Sequence, residues 1–364
     1  MLAPVGDPVT NPTKGEAQNK RIQGDYHEIA GIGDDLGPSH YIPGINESRA
    51  NPGFGTLGCL LQIKLNGESK WRTCALTNYH VVRPAFDGFS LESPNQGVTK
   101  MASQPQGSDL WNIDFGGYNL STKLIHKLPS FESPSRSKHN FTITVIDEDI
   151  DAEQKNVAKM EKGFRTTKNK QQVRKIIRDT KAMIADMETE KQKKIAFFDQ
   201  NKQVLGKLIA CSGLQRSVQD RKMDLGINRG RSIPTMVQYS PRTPYEVGQL
   251  FKVGAITGAR TGKYEWKKQT VAMDYDCNLA NARLWTTEIV FGPRDDIGSA
   301  SKLCDHGDSG SVMFNQEGEI LALMFRGHKH QDSYDGGYGY ATPIEHIFRD
   351  IKEFSNVVNI RVAE

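Results

Sequence analysis

Apolar and polar positions follow three different rhythms along this chain. Up to about residue 52, Gly, Pro, Asn and Asp recur without any period. That stretch reads as an arm that wraps the domain or stays partly disordered. From Gly55 to Val82 short apolar runs alternate with turns, GCLLQIKL and then WRTCALTNYHVV, which is β-hairpin character. Residues 83–145 are irregular and rich in Ser, Pro and Gly. From 146 to 203 turn formers vanish and apolar residues recur at helical spacing, as in Val173, Ile176, Ile177, Met183, Ile184 and Met187. Gly163, followed by Thr166 and Thr167, is the natural break, so the segment predicts a helical hairpin, a short antiparallel coiled coil. From Val204 the short runs return: VLGKLIACSGL, KMDLGIN, QLFKVGAIT, YEWKKQTVAM, ARLWTTEIVF, SVMF, EILALMF and YGYATPI. Many turn-bounded strands predict a mainly β barrel or sandwich interrupted by one helical insertion.

One hairpin can be read to its register. Asn66-Gly67 is a strong two-residue turn signal. With those residues as the turn, Leu65 faces Glu68, Ile63 faces Lys70, Leu61 faces Arg72 and Cys59 faces Cys74. The five cysteines (Cys59, Cys74, Cys211, Cys277, Cys304) are few and odd in number, which argues against a disulfide framework. Cys59 and Cys74 therefore read as two small buried thiols rather than a bridge.

Composition narrows the class. No window approaches the roughly 20 apolar residues of a membrane span. The first residues lack the basic start and apolar core of a secretory signal, so a cytoplasmic location is expected. The net charge of +4 is uneven: residues 151–210 carry 15 Lys or Arg against 8 Asp or Glu. Such a segment can bind nucleic acid, but a solvated helix face accounts for it, and no nucleic-acid partner is expected. There is no metal-type Cys/His spacing and no phosphate-binding glycine loop, so neither metal nor cofactor is expected.

The sharpest chemical signal is Gly307-Asp308-Ser309-Gly310-Ser311. A serine hydroxyl is a weak nucleophile until a base takes its proton. The oxyanion formed on the substrate needs donors already in place, and a glycine-rich turn can aim backbone N–H groups at one point. Thr77-Asn78-Tyr79-His80-Val81-Val82 places a histidine at the end of an apolar run, upstream of that serine.

ALTNYHVV and CDHGDSGSVMF resemble the His and Ser motifs of the chymotrypsin-like (trypsin-like) serine peptidases, HtrA-type members included, and most of all the intracellular trypsin-like domains of fungal proteins. The motifs cover about twenty residues. The resemblance implies two six-stranded antiparallel barrels with His80 and Ser309 facing each other across the cleft. It implies His80 as general base and then acid, and the N–H groups of Gly307 and Ser309 as the oxyanion hole. The domain reading is then an arm at 1–52, a first barrel at 53–145 completed by 204–232, the helical hairpin at 146–203, and a second barrel with a C-terminal helix at 233–364.

The family places its acid about 45 residues after the histidine and about 93 before the serine. Asp224 comes 85 residues before Ser309, and removing the helical insertion with its flanks brings its distance from His80 close to that spacing. RKMDLGI also resembles the family's Asp motif. Asp147, Asp149 and Asp151 are the alternatives, and otherwise read as caps at the helix start. The pocket implied by the resemblance comprises Leu303, His306, Phe325, Arg326, Gly327 and Tyr340. Leu303 stands six residues before the serine, where trypsins carry an acid, so trypsin-type specificity is not expected. His306 and Arg326 would suit an acidic side chain before the cut or else be surface charges. No activation site is recognisable, so Asp308 cannot be assumed to pair with a terminal amine.

The expected function is endopeptidase hydrolysis of protein or peptide substrates through an acyl-enzyme. The alternative is a catalytically silent or assembly-dependent scaffold on a peptidase fold. The helical hairpin would be either a solvated insertion or a docking element for a protein partner.

Overall fold

The structure is a computed structural model of the 364-residue chain. It describes residues 28–40, 42–43, 49–50, 53–92, 100–101, 104–119, 128–164, 169–213, 217–218, 221–222, 226–229, 249–274, 283–293, 303–305, 307–328 and 338–363. Contacts divide the chain into a mainly β unit, which takes in Ile29–Arg136 and Val204–Glu364, and a helical unit, Ser137–Gln203.

The β unit holds two structures. Its main strands, in chain order, are β1 (Asp35–Pro38), β2 (Gly55–Thr56), β3 (Cys59–Leu65), β4 (Arg72–Thr77), β5 (Tyr118–Asn119), β6 (Ser130–Glu132), β7 (Val204–Cys211), β8 (Gly226–Arg229), β9 (Leu250–Gly254), β10 (Gly258–Asp274), β11 (Arg283–Pro293), β12 (Val312–Phe314), β13 (Ile320–His328), β14 (Tyr338–Pro343) and β15 (Val357–Val362). The first nine-stranded sheet runs β15-β3-β4-β8-β7-β6-β1-β2, with β5 beside β7. Six strands, β9-β10-β11-β14-β13-β12, close into a barrel. Where the family resemblance implies two six-stranded barrels, the described residues show one closed barrel and one sheet without closure, with β15 and β2 as its ends.

Alternation explains the packing. Strand β3 sends Leu60 to a core with Tyr79, Val82, Phe131 and Leu208. It sends Cys59, Leu61 and Ile63 to the opposite core, with Leu76, Val312 and Leu323. Both faces are covered, which is why its apolar run is nearly continuous. Helix α5 (Ile344–Phe354) presents Ile344, Ile347, Phe348 and Ile351, one stripe at helical spacing, to that second core. It then delivers β15 to the edge of β3, Ile360 opposite Ile63. The barrel encloses its own core of Leu250, Phe291, Leu303, Met313, Leu321 and Met324.

The β3–β4 register differs from the sequence reading by two residues. Cys59 faces Leu76 and Leu61 faces Cys74. The Asn66-Gly67 turn forms, the Glu68 N–H donating to the Leu65 carbonyl at 3.1 Å. The loop nevertheless continues to residue 71, with Arg72 turned back onto Glu68 as an ion pair. Cys59, Cys74, Cys211 and Cys304 are buried thiols that form no disulfide among the described residues.

The helical unit contains α3 (Arg136–Gly163), which starts in the β unit, and α4 (Lys170–Asp199). The sequence reading starts this segment at 146, yet α3 begins ten residues earlier. The alternating run Phe141–Val145 looks strand-like locally, but it lies inside the helix. The two helices are antiparallel: Asp147 early in α3 pairs with Lys191 late in α4 at 2.5 Å, and Glu161 pairs with Lys181 at 2.8 Å. Ile150, Val157 and Ile184 form the buried seam, flanked by Ile146, Met160, Ile177 and Met187. Asp147, Asp149 and Asp151 thus sit in the body of a helix rather than capping its start. No helix of the described residues is long and apolar enough to cross a membrane.

Candidate active site

Ser309 occupies a tight turn between Leu303 and β12. Gly307 and Gly310 both take left-handed backbone, φ 95° and 96°, where a side chain is strained. At Gly310 an added Cβ would also lie 2.3 Å from the Thr56 carbonyl oxygen and 2.4 Å from Thr77 Oγ1. The turn is closed by Ser311, whose N–H and Oγ both donate to the Asp308 carbonyl at 3.0 and 2.6 Å. It is pinned to β13 by the Gly310 N–H on the Met324 carbonyl at 2.9 Å. A bulge in β13 between Met324 and Arg326 turns the Phe325 carbonyl toward the serine, and Ser309 Oγ donates to it at 3.2 Å. Among the described residues, the N–H groups of Gly307 and Ser309 make no hydrogen bond.

His80 lies just beyond the end of β4 rather than on it. Asn78 keeps extended backbone, and Tyr79–Val82 then form a one-turn helix, α1. His80 is 6% exposed. The residues on either side of it are clamped. Tyr79 Oη and Arg83 Nε both donate to Asp114 Oδ1 at 2.8 Å, and an Arg83 terminal nitrogen donates to Oδ2 at 2.7 Å. Asp114 comes from helix α2 (Asp109–Gly116), capped by Ser108. Burial pushes the Tyr79 hydroxyl well above its usual range, and the Asp114 charge adds to that, so the hydroxyl stays protonated and donating.

One short strand ties the histidine and serine segments together. On β2 the Thr56 N–H donates to the Ser309 carbonyl at 2.7 Å, and Thr56 Oγ1 donates to the Gly307 carbonyl at 2.9 Å. The same hydroxyl accepts from the Ala255 N–H at 3.0 Å, while the Thr56 carbonyl accepts from Thr77 Oγ1 at 2.8 Å. Beside it, a Cβ at Gly55 would stand 2.3 Å from Val81 Cγ2 and 2.7 Å from the Ser309 carbonyl oxygen. The residue after His80 and the backbone of Ser309 therefore meet across a position only glycine can fill.

Asp224 lies outside the described residues, as does His306. Strand β8, which starts two residues after Asp224, pairs with β4 such that Gly226 faces Thr77. Of the alternatives, Asp147 is engaged by Lys191 in the helical unit. Leu303 is 1% exposed and packs inside the barrel. Phe325 and Tyr340 form a separate small cluster with Val290. Arg326 stands opposite Tyr340 in the β13–β14 register; burial raises the Tyr340 hydroxyl, and the Arg326 charge opposes that. Gly327 is exposed, and a Cβ there would lie 2.7 Å from Cys304 Sγ.

The sequence reading did not single out Thr56, Asp114 or Lys252. Lys252 did carry a signal: it occupies a core-facing position of β9, between Leu250 and Gly254, and a buried ammonium demands an anion. No group of three or more His, Cys, Asp or Glu among the described residues is placed to hold a metal.

No protein-family model matches the chain. No curated protein matches it either. Among solved structures it is similar to a glutamic-acid-specific serine protease described as using a histidine triad in substrate binding, at 16% identity and TM-score 0.29, over 44% of this chain and 74% of that one. It is also similar to the active form of the Rv3671c protease from M. tuberculosis, at 11% identity and TM-score 0.28, over 42% and 64%. Likenesses this coarse carry no functional weight.

Proposed function

We propose that this chain is a serine endopeptidase that cleaves peptide bonds in protein or peptide substrates, with His80, Asp224 and Ser309 as its triad. The observation that carries the reading is the meeting of the His80 and Ser309 segments at Gly55 and Thr56, beside two turn N–H groups that have no other hydrogen bond among the described residues. In this mechanism Ser309 Oγ swings from the Phe325 carbonyl to the imidazole and gives up its proton as it attacks the scissile carbonyl. The Gly307 and Ser309 N–H groups receive the oxyanion, whose charge they stabilise without reorganising. His80 then protonates the leaving amine, and water, deprotonated by the same imidazole, releases the acyl group. Asp224 would orient that imidazole; the pairing of the strand after it with the strand before His80 supports this choice. Leu303, His306, Phe325, Arg326, Gly327 and Tyr340 would shape the substrate pocket, and cleavage-site profiling on a peptide library measures whether Arg326 selects acidic residues. The chemistry calls for neither metal nor organic cofactor.

A fluorophosphonate probe should label the wild-type chain, whereas Ser309→Ala and His80→Ala, with unchanged circular dichroism, should not label. Robust labelling of either variant removes the assignment. A second reading, a peptidase fold that works by binding alone, is favoured by the serine hydroxyl resting on a backbone carbonyl. An unlabelled wild-type chain would favour it.

A further inference from the structure

We infer that Lys252 is a positioning residue that holds the Ser309 turn in its working shape, so that the chain's own interior sets the site and no newly cut terminus is needed. The inference rests on the peptidase reading for its catalytic consequence, but its structural part stands apart from that reading.

Lys252 and Asp308 form an ion pair at 2.9 Å, and both side chains are fully buried. The Asp308 carboxylate collects five donors. Oδ1 accepts from the Ile256 and Thr257 N–H groups at 3.0 and 3.1 Å. Oδ2 accepts from Lys252 Nζ, from Thr257 Oγ1 at 2.7 Å and from the Asp305 N–H at 2.9 Å. Lys252 Nζ also donates to Thr257 Oγ1 at 2.7 Å. Strand β9, the turn after it and the segment before the serine therefore converge on one carboxylate.

Asp308 is the residue between the two N–H groups assigned to the oxyanion hole. With its side chain drawn inward, the backbone on either side is held, Gly307 at its left-handed φ and Ser309 toward Phe325. A carboxylate at zero exposure persists as an anion only with a compensating cation. Without the Lys252 ammonium, the cheapest relief is for the turn to swing the carboxylate out to water, which misaims both N–H groups. The site is also sterically full, since a Cβ at Gly254 would stand 2.4 Å from Asp308 Oδ1 and 2.7 Å from Lys252 Nζ. An amine arriving from elsewhere in the chain would find the place taken.

The test uses the full chain as wild type, Lys252→Met, the double variant Lys252→Met/Asp308→Leu, and the surface control Lys181→Met. Hydrogen exchange is followed at the 305–311 amides, fluorophosphonate labelling is resolved into binding and maximal rate, and thermal unfolding is recorded. Lys252→Met should lose protection at 305–311 and label roughly 100-fold slower at saturation, the scale of one lost oxyanion donor, with probe binding little changed. The double variant removes both charges, so it should regain stability and still label slowly, which separates positioning from folding. A tag fused before Met1 should leave labelling unchanged. Labelling of the folded double variant within about threefold of wild type, on that same scale, overturns the inference, as does a tag that silences the site. A wild-type chain that never labels sinks the peptidase reading instead, and the exchange at 305–311 still decides the role of Lys252: unchanged protection in Lys252→Met refutes it, and lost protection sustains it.

Discussion

Asp114→Asn tests the clamp behind His80. The wild-type carboxylate receives two bonds from Arg83 at 2.7 and 2.8 Å and one from Tyr79, and the Arg83 and Asp114 side chains are 6% and 7% exposed. Asparagine keeps the shape but loses the charge and sets an NH2 group against the guanidinium, leaving a buried cation uncompensated. Breaking such a pair costs about 3–5 kcal/mol. At about 2–4 °C per kcal/mol for a unit of this size, the melting temperature of the β unit should fall by roughly 6–20 °C. Thermal unfolding monitored by tryptophan fluorescence at pH 7 reads this directly. Because both groups are shielded from solvent, 0.5 M salt should leave the difference nearly intact, unlike a surface pair. The double variant Arg83→Met/Asp114→Leu should recover most of the loss. A single-variant loss below about 1 kcal/mol, the range of exposed pairs, would show that the clamp is not a buried ion pair. So would a loss halved by salt.

Gly310→Ala should slow labelling more than it lowers stability, because its Cβ would push the Thr56 carbonyl and Thr77 hydroxyl that join the two site segments; wild-type labelling would refute the tie. Asp224→Asn should cut the labelling rate steeply through the wrong imidazole tautomer, whereas unchanged labelling would remove Asp224 from the triad. Burial pushes the Cys304 thiol from 9.0 up to about 12, with Lys252 opposing and Asp308 and Asp305 adding. Above about pH 9 the unfolded chain therefore binds fewer protons than the folded one, and stability should fall as pH rises from 9 toward 12. Iodoacetamide at pH 8.5 should spare Cys304 in the native chain, as peptide mass spectrometry would show, and Cys304→Ala should flatten the fall. Ile184→Asp places a charge in the seam with Ile150 and Val157 and should melt the hairpin by far-ultraviolet circular dichroism; full helicity would contradict the packing.

Features written in neighbouring residues were legible in advance. Helical spacing from Val173 to Met187 identified α4 because an amphipathic stripe repeats with the turn of the helix itself. Glycines at 307 and 310 announced a tight turn around Ser309 because left-handed backbone admits little else. The start of α3 was not legible. Its β-branched run alternates like a strand, and such local preference yields to tertiary context.

The sequence by itself determined the main strand runs, the helical stripe of α4 and the tight glycine turn around Ser309, and it offered candidates for nucleophile and base. Tertiary structure alone decided that Lys252 meets Asp308, that Thr56 joins the Ser309 turn to the end of the strand before His80, and that β15 returns to β3 from the far end of the chain. Each of these pairs residues dozens to hundreds of positions apart. Periodicity and turn chemistry act over a few residues, whereas such partners are chosen by which packing buries the most apolar surface while leaving no buried charge or backbone group unmatched.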